Sequence, residues 1–191
     1  MLMLIRELER LILEGDHNKV KKFFNENPRF DVNTPLLDCG TTALHLACYF
    51  CHEEILEFFL SHPDIDVNRK DNHLRSPLLQ ISCNKNVEAF KQTKCVNLIL
   101  KDPRVEINAI DDSGQTLVFG CVALGQVDMI KSMIASGREF SLMVNGKCSH
   151  NEEVNVIEAA RVPEVLSLLL RFDKDPQQAR KEICSELGIA C

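Results

Sequence analysis

Apolar residues along the chain recur in pairs of short runs with helical spacing. In the clearest pair, Leu44, Ala47 and Cys48 stand at positions i, i+3 and i+4. The same spacing returns a few residues later in the run Ile55, Leu56, Phe59 and Leu60. Apolar residues three and four apart lie on one face of a helix, so the pattern predicts two short amphipathic helices. A turn falls between them, and Pro63 ends the second helix.

Three segments that follow such runs share one pattern. They read NPRFDVN at 27–33, HPDIDVN at 62–68 and DPRVEIN at 102–108, each behind a bulky apolar pair. Their asparagines are 35 and then 40 residues apart. Recurrence at this period indicates internal repeats, and a unit of helix, turn, helix and extended tip is too small to close its own core. The units are therefore predicted to stack on one another.

The motifs inside the units resemble those of the ankyrin repeat family. Residues 42–47 read TALHLA where the family has T-P-L-H-x-A, and Gly40 stands two residues ahead. The pattern D-x-x-G-x-T returns as Asp111, Gly114 and Thr116. The resemblance implies an all-α solenoid of stacked helix-turn-helix units with extended hairpin tips. The residues that it implies to shape the repeat are Thr42, Leu44, His45, Ala47, Gly114 and Thr116.

The resemblance also implies how the chain is divided. We expect a single ankyrin-repeat domain over residues 1–191, with about five units including degenerate caps. The predicted units cover about 1–33, 34–68, 69–108, 109–140 and 141–172, followed by a C-terminal capping helix over 175–188. Asp175 would cap that helix, Pro176 would be its first residue and Gly188 would end it.

The third unit is longer than the family pattern. Residues 84–94, NKNVEAFKQTK, lengthen the turn between its two helices. Val87 and Phe90 stand three apart, which predicts an added helical turn. We expect this insertion to be dispensable for binding on the opposite side, where the hairpin tips lie.

The composition limits the cellular compartments and the classes of partner that we expect for this chain. The net charge of −6 repels the phosphate backbone of nucleic acids. The longest mostly apolar run, at 116–125, is shorter than the roughly 18–20 residues that cross a bilayer. Nine cysteines without a recognisable secretion signal favour a reducing compartment with free thiols. We therefore expect a cytoplasmic or nuclear protein that binds neither nucleic acid nor membrane, while delivery into a host cell stays open.

The stretch CYFCH at 48–52 raises the question of a metal or haem site. Cys-x-x-Cys-His is the attachment pattern of a c-type haem, and a wider cluster within 14 residues comprises Cys39, His45, Cys48, Cys51 and His52. In the repeat register, Cys48 fits as a small core residue and Cys51 lies in the turn. The resemblance implies that His45 hydrogen-bonds within and between hairpin loops. We therefore expect no metal and no cofactor, and a metal- or redox-responsive module remains the alternative.

Catalysis has no support in the sequence. No pairing of a nucleophile with a base can be placed in a pocket, because a solenoid of this size offers a groove rather than a cavity. The glycine-rich stretch GQTLVFGCVALG at 114–125 lacks the lysine and the spacing of a phosphate-binding loop. We expect a protein that is not an enzyme. The alternative is a targeting domain that belongs to a larger enzyme.

The resemblance implies that the chain binds another protein on a concave face made by hairpin tips and first helices. The residues carried over to this face are Tyr49, Phe50, Asn72, His73, Arg75, Asp112 and Gln115. Aromatic residues beside an arginine are enriched at interface hot spots, so we expect Tyr49, Phe50 and Arg75 to lie side by side there. In the alternative, Phe50 tucks under Arg75 or the hairpin and extends the core. We expect a monomer that acts as an adaptor, an inhibitor or an effector.

Overall fold

The computed structural model describes residues 1–145 and 153–190. Over these ranges the chain forms ten α-helices, one short 3-10 helix and one pair of three-residue strands. None of the described helices combines the length and the apolar character needed to cross a bilayer. The helical architecture predicted from the sequence is confirmed. The chain divides into two compact units, Met1–Glu106 and Ile107–Cys191.

The first unit consists of three helix pairs. They are α1 (Leu2–Glu14) with α2 (His17–Glu26), α3 (Ala43–Phe50) with α4 (Glu53–Ser61), and α5 (Pro77–Cys83) with α6 (Ala89–Ile99). Helix α3 packs between α1 and α5, and α4 packs between α2 and α6. The first helices of the pairs therefore form one row and the second helices another. The apolar stripes predicted from the spacing face this contact, and the fully buried residues include Leu8, Ile12, Leu44, Ile55, Leu56, Phe59, Leu78, Ile81 and Ile99.

The recurring asparagines fasten each loop of the repeat to the next one. The Asn33 side chain donates to the Asp64 carbonyl at 2.7 Å and accepts from the Asp66 backbone N–H at 2.8 Å. Asn68 repeats both bonds with the Arg104 carbonyl and the Glu106 N–H, at 2.7 and 2.8 Å. Each amide side chain thus satisfies two backbone groups of an extended segment that has no strand partner. This bridging explains why the septets keep an asparagine at their last position.

The second unit begins with one regular pair of helices and then departs from the pattern. Its elements are α7 (Leu117–Ala123), α8 (Val127–Ala135), β1 (Met143–Asn145), β2 (Glu153–Asn155), a 3-10 helix (Val156–Ala159), α9 (Pro163–Lys174) and α10 (Pro176–Leu187). The strands pair in antiparallel register, with Met143 opposite Asn155. The predicted fifth unit would have its first helix in this region, and the structure has the strands and the 3-10 helix instead. Helix α10 begins behind Asp175, whose carboxylate accepts from the Gln178 N–H at 2.9 Å.

A leucine occupies a left-handed turn position that glycine fills in the other tips. Gly40 and Gly114 have φ values of 80° and 78°, and Leu74 has a φ of 56° at the same point of its hairpin. Its backbone N–H donates to the Asp71 carbonyl three residues back at 2.9 Å, as that of Gly114 does to the Asp111 carbonyl at 3.0 Å. A side chain in this region costs roughly 1–2 kcal/mol. The leucine is nevertheless 47% exposed, so burial offsets only part of that cost.

The strain at Leu74 predicts which of two substitutions there gives the more stable protein. Leu74→Gly is expected to be more stable than Leu74→Ala by about 1 kcal/mol, because both remove the side chain and only glycine relaxes the turn. The exposed helical residue Glu7 provides the control. There, the Glu7→Ala variant should be more stable than Glu7→Gly by a similar amount. Chemical denaturation of the four variants measures both differences. If the alanine variant were the more stable one at both sites, the turn at Leu74 would not be strained.

Candidate functional site

Tyr49 and Phe50 lie at the end of α3 and form an aromatic cluster. Their rings meet edge to face, with centroids 5.0 Å apart and an interplanar angle of 86°. Phe50 also stacks on His52, at 5.8 Å and 22°. Both aromatic residues are half-buried. His52 in turn packs on Gly15, where an added Cβ would come within 2.8 Å of the imidazole. Phe50 therefore belongs to a stack at the turn between α3 and α4.

Arg75 is held by a buried carboxylate. Its Nε and Nη2 donate to Oδ2 of Asp71 at 3.0 and 2.9 Å. The Asp71 side chain is fully buried and also accepts from the His73 and Arg75 backbone N–H groups and from Nε2 of Gln80. Burial alone would raise the pKa of the Asp71 carboxyl, but the bonds from the Arg75 backbone and guanidinium outweigh it and lower that pKa. Arg75 is thus part of the framework of its hairpin.

The three residues expected to lie side by side form two groups instead. Arg75 directly precedes the cap of α5, and its carbonyl accepts from His45 in the first turn of α3. The Tyr49 carbonyl accepts from the Asn84 side chain, at the other end of α5, at 3.1 Å. A helix of this length spans roughly 10 Å. The guanidinium is also directed to Asp71, and Phe50 packs on His52 rather than under Arg75.

Asn72 and His73 occupy the exposed tip of the same hairpin. The Asn72 side chain donates to the Asp38 carbonyl at 3.1 Å, and its backbone N–H donates to the Cys39 carbonyl at 2.8 Å. Asn72 therefore joins two adjacent tips, in addition to facing solvent. His73 is exposed beside it. A partner that reaches this tip would meet His73 and Leu74 on a well-supported backbone.

The second unit presents a similar tip around Asp111. Its carboxylate accepts from the backbone N–H groups of Ser113 and Gln115 at 3.0 and 2.8 Å. Asp112 is exposed at the tip, and Gln115 is half-buried. Thr116 follows as the cap of α7, where its hydroxyl accepts from the Phe119 N–H at 3.3 Å.

His45 links two neighbouring hairpins through both ring nitrogens. Nδ1 accepts from the Thr42 backbone N–H at 3.2 Å and lies 2.8 Å from the Thr42 hydroxyl. Nε2 lies 3.0 Å from the Arg75 carbonyl and must donate to it, since a carbonyl can only accept. This arrangement requires the neutral tautomer that carries its proton on Nε2. Leu44 and Ala47 of the same motif are fully buried.

The requirement for a neutral imidazole predicts a pH dependence of stability. Burial lowers the pKa of His45 and outweighs the opposing effects of the Arg75 carbonyl and Asp71. A lowered folded-state pKa gives stability that is complete above the unfolded pKa of about 6.5 and is lost as the pH falls through the folded pKa. His52 contributes with the same sign, because burial lowers its pKa too.

We expect His45→Gln to reduce the slope of unfolding free energy against pH between about pH 7 and pH 5. It should also cost about 1–3 kcal/mol at pH 7, because groups of Thr42 and Arg75 lose a buried partner. His52→Gln serves as the comparison and should remove the part of the slope that comes from His52. Urea titrations at several pH values measure this. An unchanged slope in both variants would contradict the assignment.

Both cysteines of CYFCH are buried, and so is Cys95 of α6. Cys48 and Cys51 lie with Cys95 in the interior, and the Cys51 thiol donates to the Cys48 carbonyl at 3.4 Å. Burial raises the pKa of the Cys48 thiol, and a hydrogen bond with Cys51 together with burial raises that of Cys95. Protonated buried thiols are poor metal ligands and poor nucleophiles. Across residues 1–145 and 153–190, no group of three His, Cys, Asp or Glu side chains is placed to hold a metal ion.

The remaining cysteines differ in their surroundings. The sequence predicts exposed, ordinary thiols at Cys39, Cys148 and Cys191. Cys39 is instead half-buried beside the Thr41 hydroxyl, at 3.0 Å. Cys184 is disulfide-bonded, so the expectation of free thiols fails for this residue. The expectations for Cys148 and Cys191 lie outside the described residues. Cys83 is exposed and Cys121 is buried, and neither forms a disulfide bond.

We expect the purified protein to hold less than one zinc ion per chain, and EDTA to leave its melting temperature unchanged. The physical reason is that Cys48 and Cys51 are packed in the interior, and that burial raises the pKa of the Cys48 thiol and so disfavours the thiolate that would bind zinc. Elemental analysis and a thermal melt measure the two quantities. Stoichiometric zinc that is lost together with stability would favour a metal-responsive module instead.

The insertion contains an aromatic residue that lies exposed on the surface. Residues 89–94 belong to α6, so the added turn is helical. Gln92 is buried, and its Nε2 donates to the Ile81 and Asn84 carbonyls at 2.9 Å each. Phe90 is 55% exposed between Lys91 and Lys94, whose ammonium groups lie 5.9 and 5.8 Å from the ring centre. Val87 lies before the start of α6, so the predicted helical turn from Val87 to Phe90 is wrong in its bounds. The spacing also does not distinguish a core ring from an exposed one.

Known proteins share the repeat of the first unit. A family model described as ankyrin repeats (3 copies) matches residues 8–111, just over half of the chain. The human SMC5-SMC6 complex localization factor protein 1 is 36% identical over 99 residues. The matched segment makes up 51% of this chain and 9% of that protein. The match thus covers about a tenth of the length of this relative.

Proposed function

The chain belongs to the ankyrin repeat family, and we propose that it is a non-enzymatic module that holds a partner protein on the face made by its hairpin tips and first helices. Ankyrin repeats are generally protein–protein interaction modules and are typically non-enzymatic. In this family that face is concave. The proposed contact residues in the first unit are Tyr49, Phe50, Asn72, His73 and Arg75, and those in the second are Asp112 and Gln115.

The observation that carries this proposal is the construction of the 71–75 tip. The buried Asp71 carboxylate binds backbone N–H groups on both sides of Leu74 and the guanidinium of Arg75. The tip nevertheless exposes an apolar side chain at Leu74, in a backbone conformation that costs energy. A rigid tip loses little conformational entropy when a partner binds. Strain kept at an exposed, rigid position is typical of a contact site rather than of a stacking residue.

The human relative suggests what such binding could serve. Its name describes a factor that localizes a complex. We propose a comparable role for this chain, in which binding brings the partner to a place or to another protein. Localization of this kind requires affinity and specificity but no catalytic group.

Affinity capture with three forms of the chain tests the proposal. The forms are the unchanged chain, a tip variant with His73→Ala and Leu74→Gly, and a control variant with Phe90→Ala on the opposite end of the helices. We expect one protein to be enriched on the unchanged chain and on the Phe90 variant and to be lost on the tip variant. Titration with that protein in purified form would then establish direct binding.

The possible outcomes distinguish between binding at the hairpin tip and binding at the insertion. Loss on the Phe90 variant alone would move the site to the insertion, and equal capture by all three forms would reject the proposed face. Melting curves of the variants are recorded beside the capture. The tip variant should keep the fold, because His73 and Leu74 are exposed and Asp71 retains its bonds.

A further inference from the structure

The second unit contains a cavity that the proposed partner-binding face does not include. It has a volume of about 450 Å³ and lies between the end of α8, the end of α9 and the start of α10. Its principal lining residues are Ile134, Gly137, Arg138, Phe172, Arg180 and Lys181. Cavities of this size are within the range that binds small ligands and single side chains of peptides.

The charge of this cavity is opposite to that of the chain. Arg138, Arg180 and Lys181 contribute three positive side chains, and Glu139 contributes one negative side chain. The chain as a whole carries a net charge of −6. Arg180 and Lys181 lie in the second turn of α10, and the Asp175 carboxylate caps the N-terminus of that helix. A group with negative charge is therefore favoured in this cavity.

Arg180 is fixed in the cavity before any ligand binds. Its Nε donates to the Ala135 carbonyl at the end of α8, at 3.3 Å. Its guanidinium rests on Gly137, where an added Cβ would lie within 2.7 Å of both terminal nitrogens. Gly137 has a φ of 70°, so glycine serves both the turn and the close approach of the arginine. A guanidinium positioned in this way can bind an anion with little further loss of side-chain entropy.

Apolar residues also line the cavity. Phe172 stacks on Phe140 with ring centroids 4.6 Å apart and an interplanar angle of 4°. Pro176 and the buried Ile134 are the other apolar residues of the lining. A ligand that carries a negative group next to an apolar group would match both kinds of lining residue. Peptide segments provide this combination, whereas the overall negative charge of the chain disfavours a nucleic acid backbone.

We propose that this cavity is a binding site for a peptide segment with an anionic side chain close to an aromatic or aliphatic one. The anion lies against Arg180 and Lys181, and the apolar side chain lies against Phe172. A carboxylate and a phosphoryl group both have the charge for the site, since arginine pairs with either. This site is independent of the hairpin-tip face, and either proposal can fail without the other.

A set of labelled hexapeptides tests the site. In each peptide one phenylalanine stands one to four residues from two glutamates, and matched peptides carry phosphoserine or glutamine in place of glutamate. Fluorescence anisotropy at low salt should find a glutamate or phosphoserine peptide that binds at least about tenfold more tightly than its glutamine analogue. The relative affinities of glutamate and phosphoserine peptides identify the source of the anion.

Two double variants that each remove two positive charges provide the test and its control. Arg138→Gln with Lys181→Gln removes two cations of the cavity, and Lys91→Gln with Lys94→Gln removes two from the first unit. The first is expected to weaken binding by about tenfold or more, and the second by less than about twofold at the same salt concentration. Melting curves confirm that both variants fold. Equal loss in both variants, or no anionic peptide that exceeds its glutamine analogue, overturns the proposal.

Discussion

Replacing Leu44 with alanine is expected to lower the free energy of unfolding by about 2–5 kcal/mol. Leu44 is 0% exposed, and its helix α3 packs against α1 on one side and α5 on the other. Because both neighbours hold α3 in place, the structure cannot collapse into the space that the side chain leaves. The cost therefore includes a cavity as well as the lost burial of apolar surface. Urea denaturation of the variant and the unchanged chain measures the difference.

Leu13→Ala provides the matched control for this variant. Leu13 is 48% exposed on α1, so the same chemical change should cost less than about 1 kcal/mol. Stacked repeats are stabilised by contacts between nearest neighbours, so the loss at Leu44 should appear in the melting of the whole first unit. Equal effects of the two substitutions would mean that α3 is not the central helix of its row.

The repeat could be predicted because its signals are local. The spacing of Leu44, Ala47 and Cys48 depends only on the helical period, and the septets mark the loops directly. The role of the septet asparagines could not be predicted in this way. Asn33 and Asn68 bond to backbone groups of the next loop, more than 30 residues away, and a local pattern contains no information on that distance.

The second unit shows where local signals end. Residues 143–145 and 153–155 pair as strands, although the repeat register predicts the first helix of a unit there. Each strand is only three residues long, too short for an alternating pattern to be recognised. Their pairing therefore depends on tertiary context rather than on the sequence of either segment. The 3-10 helix that follows, Val156–Ala159, is equally short.

The candidate binding residues show a similar limit. The resemblance places Arg75 at a variable position, and its exposure alone would favour a contact role. Its bonds to Asp71 give it a structural role as well, and the spacing of four residues between the two was the available signal. Removing Arg75 would leave the fully buried carboxylate without its cation, which costs about 3–5 kcal/mol for buried pairs in general. Binding by an Arg75 variant would therefore be difficult to separate from folding.

Tyr49 and Phe50 permit a cleaner test of the proposed face. Replacing both with alanine is expected to weaken the complex with the captured partner by about 1.5–3 kcal/mol, which is about 10- to 150-fold in affinity. The two rings support each other edge to face and Phe50 is braced by His52, so they are already ordered before a partner binds. Rigid aromatic side chains of this kind lose little entropy in a complex.

The double variant should retain most of its stability, because both rings are half-buried and neither contributes to the fully buried layer around Leu44. Phe58→Ala is the matched control, since it removes a half-buried ring from α4, in the row of second helices, and should leave the affinity unchanged. Titration calorimetry with the purified partner and a thermal melt are recorded for each variant. Unchanged affinity with an unchanged melt would place the binding site away from the end of α3. A large loss of melting temperature would show instead that the pair belongs to the core, and that its partial exposure has no role in recognition.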